Sequence, residues 1–340
     1  MTVPFDPSAA ALPGSGVFGL PHREDEAALV LLPVPFEATT SYRGGTARGP
    51  EAILSASRQV DLFDVETGRP YERGIAMLPL PEEVARLDRL ARAAAAKVIA
   101  AGGTDGSPEL ARAAREVDEA CERVNAFVEE RVAGLVRAGK RAGVVGGDHS
   151  VALGSLSAHA RRHPGMGVLQ VDAHPDLRVA YQGFTYSHAS VLYNAARRLP
   201  EISRIVQVGV RDLSEEEQSF AQNSGNRILQ HHDAALAKAR LEGENWASQV
   251  GRILEPLPED VYITFDIDGL DPALCPHTGT PVPGGLSFQE ATFLIGAVVR
   301  SGRRIVGFDL VEVAPGPAGG DWDGNVGARL LYKLAGWTLL

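Results

Sequence analysis

Short runs of aliphatic and β-branched residues alternate with helical stretches along most of the chain, and that rhythm calls for a parallel sheet. The expected strands are 142–146, 167–172, 204–210, 260–266 and 304–310. They are preceded by "AALVLLPVPF" (27–36), a buried strand stopped by Pro33 and Pro35. Helices are expected at roughly 150–162, 187–198, 213–223, 243–254, 287–301 and 323–336. Residues 82–139, rich in Ala, Glu, Arg and Leu, read as two helices broken at "AGGTDGSP" (101–108). Strands that are apolar throughout need helices on both faces of their sheet. No repeat and no linker-like shift in composition divides the chain. At 340 residues and 44% hydrophobic content, it has enough material for one large domain. The expectation is one domain over 26–340 and a Pro/Gly/charge-rich arm over 1–25, suited to contact with a neighbouring subunit.

The net charge of −10 argues against non-specific nucleic-acid binding, which needs a basic surface. Cys121 and Cys275 are too few for a disulfide scaffold and lack zinc-ribbon spacing. Cys121 falls in a helical stretch and reads as a core-facing thiol. No basic segment followed by a long apolar run opens the chain, so no signal peptide, no membrane span and a cytoplasmic location are expected. "SYRGGTARGPEAI" (41–53) is a Gly-rich loop opening a helix at Pro50, without the GK[ST] or GxGxxG pattern of a phosphate cradle.

The chemistry is concentrated where strands end. Strand 142–146 runs into Gly147-Asp148-His149, strand 167–171 into Asp172-Ala173-His174-Pro175-Asp176, and strand 260–265 into Asp266-Ile267-Asp268. Strand 304–310 ends near Glu312. Open α/β sheets bind ligands at the carboxyl ends of their strands, so neighbouring parallel strands would bring all four clusters to one rim. Taken singly, DxHxD also fits a capped turn, DxD is common after strands, and His149 could cap the next helix. Together, His149, Asp172, His174, Asp176, Asp266 and Asp268 supply two imidazoles and four carboxylates. Four unpaired carboxylates would repel and raise one another's pKa, and two divalent cations would neutralise them. Oxygen-rich sites with some imidazole suit Mn²⁺ better than structural zinc. Two ions about 3.5–4 Å apart can share a hydroxide nucleophile.

With GGDHS (146–150), DAHPD (172–176), DIDGLDP (266–272), TGTPVPGG (278–285), GFDLVEVAP (307–315) and YRGGTARGP (42–50), the chain resembles the arginase/agmatinase/formiminoglutamase family, the ureohydrolases. The likeness spans about 27–338 and is closest in motifs to agmatinase. It implies a three-layer α/β/α fold with a mostly parallel central sheet, two Mn²⁺ per subunit, and a homotrimer or homohexamer. Carried over by position, His149, Asp172, Asp176 and Asp266 would hold one ion. Asp172, His174, Asp266 and Asp268 would hold the other, with Asp172 and Asp266 bridging. In the family, a metal-bridging hydroxide attacks a guanidino or amidino carbon, releasing an amine with urea, or with formamide from formimino substrates. His188, in "YSHASV", would serve as proton shuttle or substrate hydrogen-bond partner, with Ala189 standing where Gly is usual. Glu312 would pair with the substrate guanidinium through a planar fork-to-carboxylate contact. Asp148 is expected to orient the loop or a ligand.

Selectivity is expected in loops 177–187, 211–214 and 275–285. Arg178 replaces the Asn of the arginase pattern, and "DLR" resembles formiminoglutamases, where such an arginine could meet a carboxylate. Agmatine-type guanidino hydrolysis is the first reading. A formiminoglutamase, a guanidino-acid hydrolase or an arginase is the alternative, and an inactive metal-binding assembly module a remote one. A metal phosphoesterase would need basic clamps that are not evident, and a related deacetylase would keep a single zinc with fewer carboxylates. Of the remaining histidines, His231 and His232 read as surface residues in a polar loop. His159 and His163 read as helix-end cations favoured by the dipole. His277, with Cys275, reads as lining the pocket mouth or packing.

Overall fold

Along the first strand, β1 (Leu29–Val34), Val30, Leu32 and Val34 pack into one apolar cluster while Leu29 and Leu31 pack into another. This is the two-residue alternation of a strand buried on both faces. The computed structural model describes residues 5–12, 14–317 and 320–340. Among them, seven further strands complete one sheet: β2 (Ile75–Met77), β3 (Arg141–Gly146), β4 (Gly167–Val171), β5 (Arg204–Val208), β6 (Ile228–His231), β7 (Asp260–Asp266) and β8 (Arg304–Val311). Every pairing is parallel, in the order β2-β1-β3-β8-β7-β4-β5-β6.

One face carries α2 (Glu82–Ala100), α3 (Pro108–Arg137), α4 (Ala152–Arg162), α5 (Val191–Arg198) and α6 (Glu215–Gln222). The other carries α1 (Gly49–Ser57), α7 (Asp233–Leu241), α8 (Trp246–Leu254), α9 (Phe288–Arg300) and α10 (Trp322–Leu339). The architecture is the three-layer α/β/α arrangement. Helix starts follow local chemistry. Ser107 caps α3 ahead of Pro108, and Ser214 with Glu217 and Ser287 with Glu290 form capping boxes on α6 and α9.

Two strands were not foreseen. β2 has three residues and β6 four, and both lie at the sheet edges, where little apolar patterning is needed. His231 therefore ends a half-buried strand and does not sit in a polar loop. The helix expected from 187 begins as a 3₁₀ turn, His188–Ser190, with α5 proper starting at Val191. Val17, Phe18 and Leu20 are buried in the cluster with α1 and α10. The Phe18 ring meets Tyr332 edge-on at 4.7 Å. No helix among the described residues is long and apolar enough to cross a membrane.

Candidate metal centre and active site

The four strands that end in polar clusters are consecutive neighbours, β3-β8-β7-β4, so one rim of the sheet receives all of them. The loop after β3 is stitched to β1. Gly147 N–H donates to Val34 O (2.9 Å) and Asp148 N–H to Phe36 O (2.8 Å). A Cβ on Gly147 would overlap the Phe36 backbone, so only glycine lets the loop approach this closely. Asp148 then accepts from the Thr39 amide (2.9 Å), the Thr39 hydroxyl (2.8 Å) and the Ser150 amide (3.1 Å). Thr39 Oγ1 in turn accepts the His188 amide (2.9 Å), tying the histidine turn to the same loop.

His149, Asp172 and Asp266 offer ligand atoms that all lie within 4.8 Å of one another, and so do Asp172, His174 and Asp268. Asp172 belongs to both groups. His149 Nδ1 is 2.8 Å from Asp176 Oδ2, 3.2 Å from Asp172 Oδ2 and 3.5 Å from Asp266 Oδ2. It nevertheless has no hydrogen-bond partner, although buried. His174 Nδ1 is 3.1 Å from Asp268 Oδ2. One Asp266 oxygen accepts the Asp268 amide (2.9 Å), and Gln170 donates to Asp172 Oδ2 (2.8 Å). Asp176 and Glu312 both adopt positive φ (54° and 63°), a strained conformation for residues other than glycine and one that clusters at functional sites.

Without cations this cluster must hold protons. Burial pushes Asp266 well above the carboxylate range, reinforced by Asp268, Asp172 and Glu312. Burial and the Asp172 charge lift Asp176 to about 7. Burial would raise Asp172 as well, but His149 and His174 hold it below its ordinary value. Burial would lower both imidazoles, yet the facing carboxylates lift His149 and His174 well above theirs. A buried lone nitrogen among carboxylate oxygens, and acids that retain protons for want of counter-charge, fit a pair of divalent cations taking the protons' place.

Beside this cluster lies a recess of about 480 Å³ whose lining includes His174, Asp176, His188, Asp266, Tyr42 and Thr280. Glu312 Oε1 accepts the His149 amide (3.0 Å) and lies 3.5 Å from His188 Nδ1. Glu312 Oε2 and His188 Nε2 are buried without partners. Burial raises Glu312, partly offset by His188; burial would lower His188, but Glu312 more than compensates. Ala189 has no positive φ and stays within the 3₁₀ turn. Of the loops expected to select substrate, 177–187 contributes Arg178 and Tyr181, 211–214 contributes Asp212, and 275–285 contributes Thr280, Pro281 and Val282. Ser41 and Tyr42 of the Gly-rich loop join them, a role its sequence did not indicate.

Arg178 borders the recess, yet its guanidinium lies over the Tyr181 ring (4.8 Å) with Nε 3.6 Å from Glu217 Oε2. Arg211 donates to the carbonyls of Gly209, Asp268, Leu270 and Val282. Other histidines fall elsewhere. His277 binds buried Asp323 (2.8 Å). His159 is fully buried, and burial lowers it to about 4, so it is a neutral core residue and not a helix-end cation. Burial likewise lowers His163. Cys275 packs with its thiol on Ile267 O (3.1 Å), and Cys121 lies in the core as expected.

A parallel three-layer α/β/α sheet with paired Asp/His groups at its carboxyl rim defines a metallohydrolase-like class of site. Residues 27–336 match the arginase family, and the chain belongs to it. It is 36% identical over 315 residues to an N(1)-aminopropylagmatine ureohydrolase of Thermus thermophilus, covering 92% of this chain and 90% of that one. It is 33% identical over 293 residues to an agmatinase of Cronobacter sakazakii, covering 86% and 81%. In fold it resembles the agmatine ureohydrolase of Thermoplasma volcanium (TM-score 0.70, 24% identity, 93% and 92% covered). It likewise resembles the proclavaminate amidino hydrolase of Streptomyces clavuligerus (TM-score 0.73, 23% identity, 98% and 99% covered).

Proposed function

We propose that the protein is a dinuclear manganese ureohydrolase that releases urea from the guanidino end of a cationic amine, with an agmatine-type substrate first. The observation that carries this reading is the pair of buried Asp/His groups sharing Asp172, set beside two buried, unpartnered atoms, Glu312 Oε2 and His188 Nε2. His149, Asp172, Asp176 and Asp266 would hold one Mn²⁺. Asp172, His174, Asp266 and Asp268 would hold the other. Two such ions supply a hydroxide nucleophile near neutral pH and balance the carboxylate charge. Glu312 Oε2 binds the planar guanidinium and turns its carbon toward the metal rim. His188, its amide held by Thr39 and its Nδ1 beside Glu312, would pass a proton to the departing amine.

The rim also bears on the substrate's other end. Arg178 is already engaged by Glu217 and Tyr181, and Arg211 by four carbonyls. Asp212, exposed at the rim, has no ion-pair partner among the described residues. The balance outside the metal cluster is one cation, Arg178, against two anions, Asp212 and Glu217. It favours an ammonium-bearing tail over a carboxylate. An aminopropyl extension, as in the substrate named for the Thermus relative, meets the same charge.

The reading extends to one domain over 26–340 and an arm over 1–25, of which Val17, Phe18 and Leu20 pack into the domain's core. It also includes a cytoplasmic location, in keeping with two buried free thiols, and the family's trimer or hexamer. Urea release from agmatine, N(1)-aminopropylagmatine, arginine and 4-guanidinobutyrate, with formamide release from formiminoglutamate, tests it in the presence of Mn²⁺. The amines should give the highest kcat/KM. Preference for a carboxylate-bearing compound would overturn the substrate class, and no turnover of any would overturn the enzyme reading.

A further inference from the structure

Below the metal rim, between α4 and the sheet, a line of fully buried polar side chains with no metal or substrate role of their own runs back from the ligand His149. His149 Nε2 lies 2.8 Å from Thr264 Oγ1, on β7. Thr264 Oγ1 lies 2.8 Å from Asp309 Oδ1, on β8, where the two residues are register partners. Asp309 Oδ2 lies 2.8 Å from the Tyr262 hydroxyl, which is also 2.8 Å from Ser155 Oγ on α4. Thr264 and Asp309 are wholly inaccessible to solvent. A buried polar chain of this kind is costly unless every donor and acceptor is matched.

Matching them assigns the protons. Burial raises Asp309, but the two hydroxyls that donate to it favour its carboxylate form, which only accepts: a hydrogen bond from Thr264 on one oxygen and from Tyr262 on the other. Thr264 has one hydroxyl hydrogen and donates it to Asp309. Toward His149 it can then only accept, so the proton on the imidazole sits at Nε2. That leaves the lone pair at Nδ1, the nitrogen facing Asp172, Asp176 and Asp266. The opposite tautomer would put an N–H where a cation is to sit and two acceptors face to face at Nε2.

We propose that Thr264, backed by Asp309, is a positioning residue that fixes the His149 ring and its tautomer for metal binding. The proposal rests on the dinuclear-site reading above, though not on any choice of substrate. Threonine suits the position because its β-branch restricts χ1, so the hydroxyl is aimed before the metal arrives. Removing the hydroxyl leaves His149 Nε2–H buried without an acceptor and frees the ring to turn.

The test is Mn²⁺ binding by purified protein, read as stoichiometry and as competition against a metallochromic chelator, with circular dichroism reporting the fold. Wild type should bind two ions. Thr264→Val, which keeps the shape of the side chain, should bind the more weakly held ion about 10–100-fold less tightly. Thr264→Ser should restore wild-type affinity, a rescue that a purely space-filling role would not give. Thr264→Ala carries the same expectation as Thr264→Val should the latter fail to fold. Two tight ions in a folded Thr264→Val or Thr264→Ala protein would overturn this proposal alone, as would a Thr264→Ser protein as weak as Thr264→Val. Wild-type protein that binds no Mn²⁺ would overturn the dinuclear reading, and this inference with it.

Discussion

Replacing Glu312 by glutamine separates guanidinium recognition from metal binding. In the native site Oε1 accepts the His149 amide at 3.0 Å, while Oε2 is buried and unpartnered. Glutamine can keep a carbonyl oxygen on the His149 amide, so the loop that carries His149 should hold its place. The second oxygen becomes an NH₂ group, which turns a donor toward a substrate fork made only of donors. The loss is one charge-assisted contact, worth roughly 1.5–3 kcal/mol. At about 1.4 kcal/mol per factor of ten, kcat/KM should fall roughly 10–150-fold. Most of the change should appear in KM, because the guanidinium is bound in the ground state as well. The assay is urea release from agmatine with saturating Mn²⁺, alongside metal analysis of the same preparation. A kcat/KM within twofold of wild type would refute the role of Glu312. A variant that lost its Mn²⁺ would refute the separation and make Glu312 part of the metal centre.

Two further outcomes are expected. His188→Ala should retain both ions but lower kcat by roughly 10²–10⁴, the range for a positioned general acid or base, whereas an unchanged rate at saturating substrate would remove His188 from the chemistry. His159, lowered by burial to about 4, binds a proton less readily when folded than when unfolded, so its contribution is intact above about pH 6.5 and is lost as pH falls toward 4. From pH 7 to pH 4 wild type should lose roughly 3 kcal/mol more stability than His159→Asn in urea unfolding; parallel curves for the two proteins would refute this.

The rim chemistry was legible because its residues recur at strand ends with a period of two. Asp172, His174 and Asp176 are placed together by following one strand end in sequence, although β4 stops at Val171 and all three leave it on the loop beyond. Their meeting with His149, Asp266, Asp268 and Glu312 depended on the strand order, which long-range pairing decides and no local pattern carries. Thr264 escaped notice because threonine inside "VYITFDID" reads as an ordinary strand former. Asp309, within GFDLVEVAP, carries no local sign of its role, since its partners Tyr262 and Thr264 lie on another strand. His159 was misjudged from its neighbours Arg161 and Arg162. The residues of α4 from Ala152 to Ala160 are all buried, and His159 faces the sheet, its ring 5.0 Å from that of Tyr262 on β7. The direction of Arg178 was likewise out of reach, because Glu217, which holds it, comes 39 residues later at the start of α6.

The division between strand ends and loops accounts for how one rim serves related substrates. His149, Asp172, Asp266 and Asp268 leave β3, β4 and β7 directly, and those strands are central and paired on both sides, so their carboxyl ends can move little. A rigid rim is what a cluster of mutually repelling acids requires, since loosening any one strand would let the carboxylates separate and lose a shared cation. Arg178, Tyr181, Asp212, Thr280 and Tyr42 sit on connecting segments, whose backbone is free of the sheet ladder. A change there alters the charge met by the distal end of a substrate and leaves the reacting groups in place. Under the proposed function, selectivity in the present protein would reside in the pairing of Arg178 with Glu217 and in the charge of Asp212, which has no ion-pair partner among the described residues.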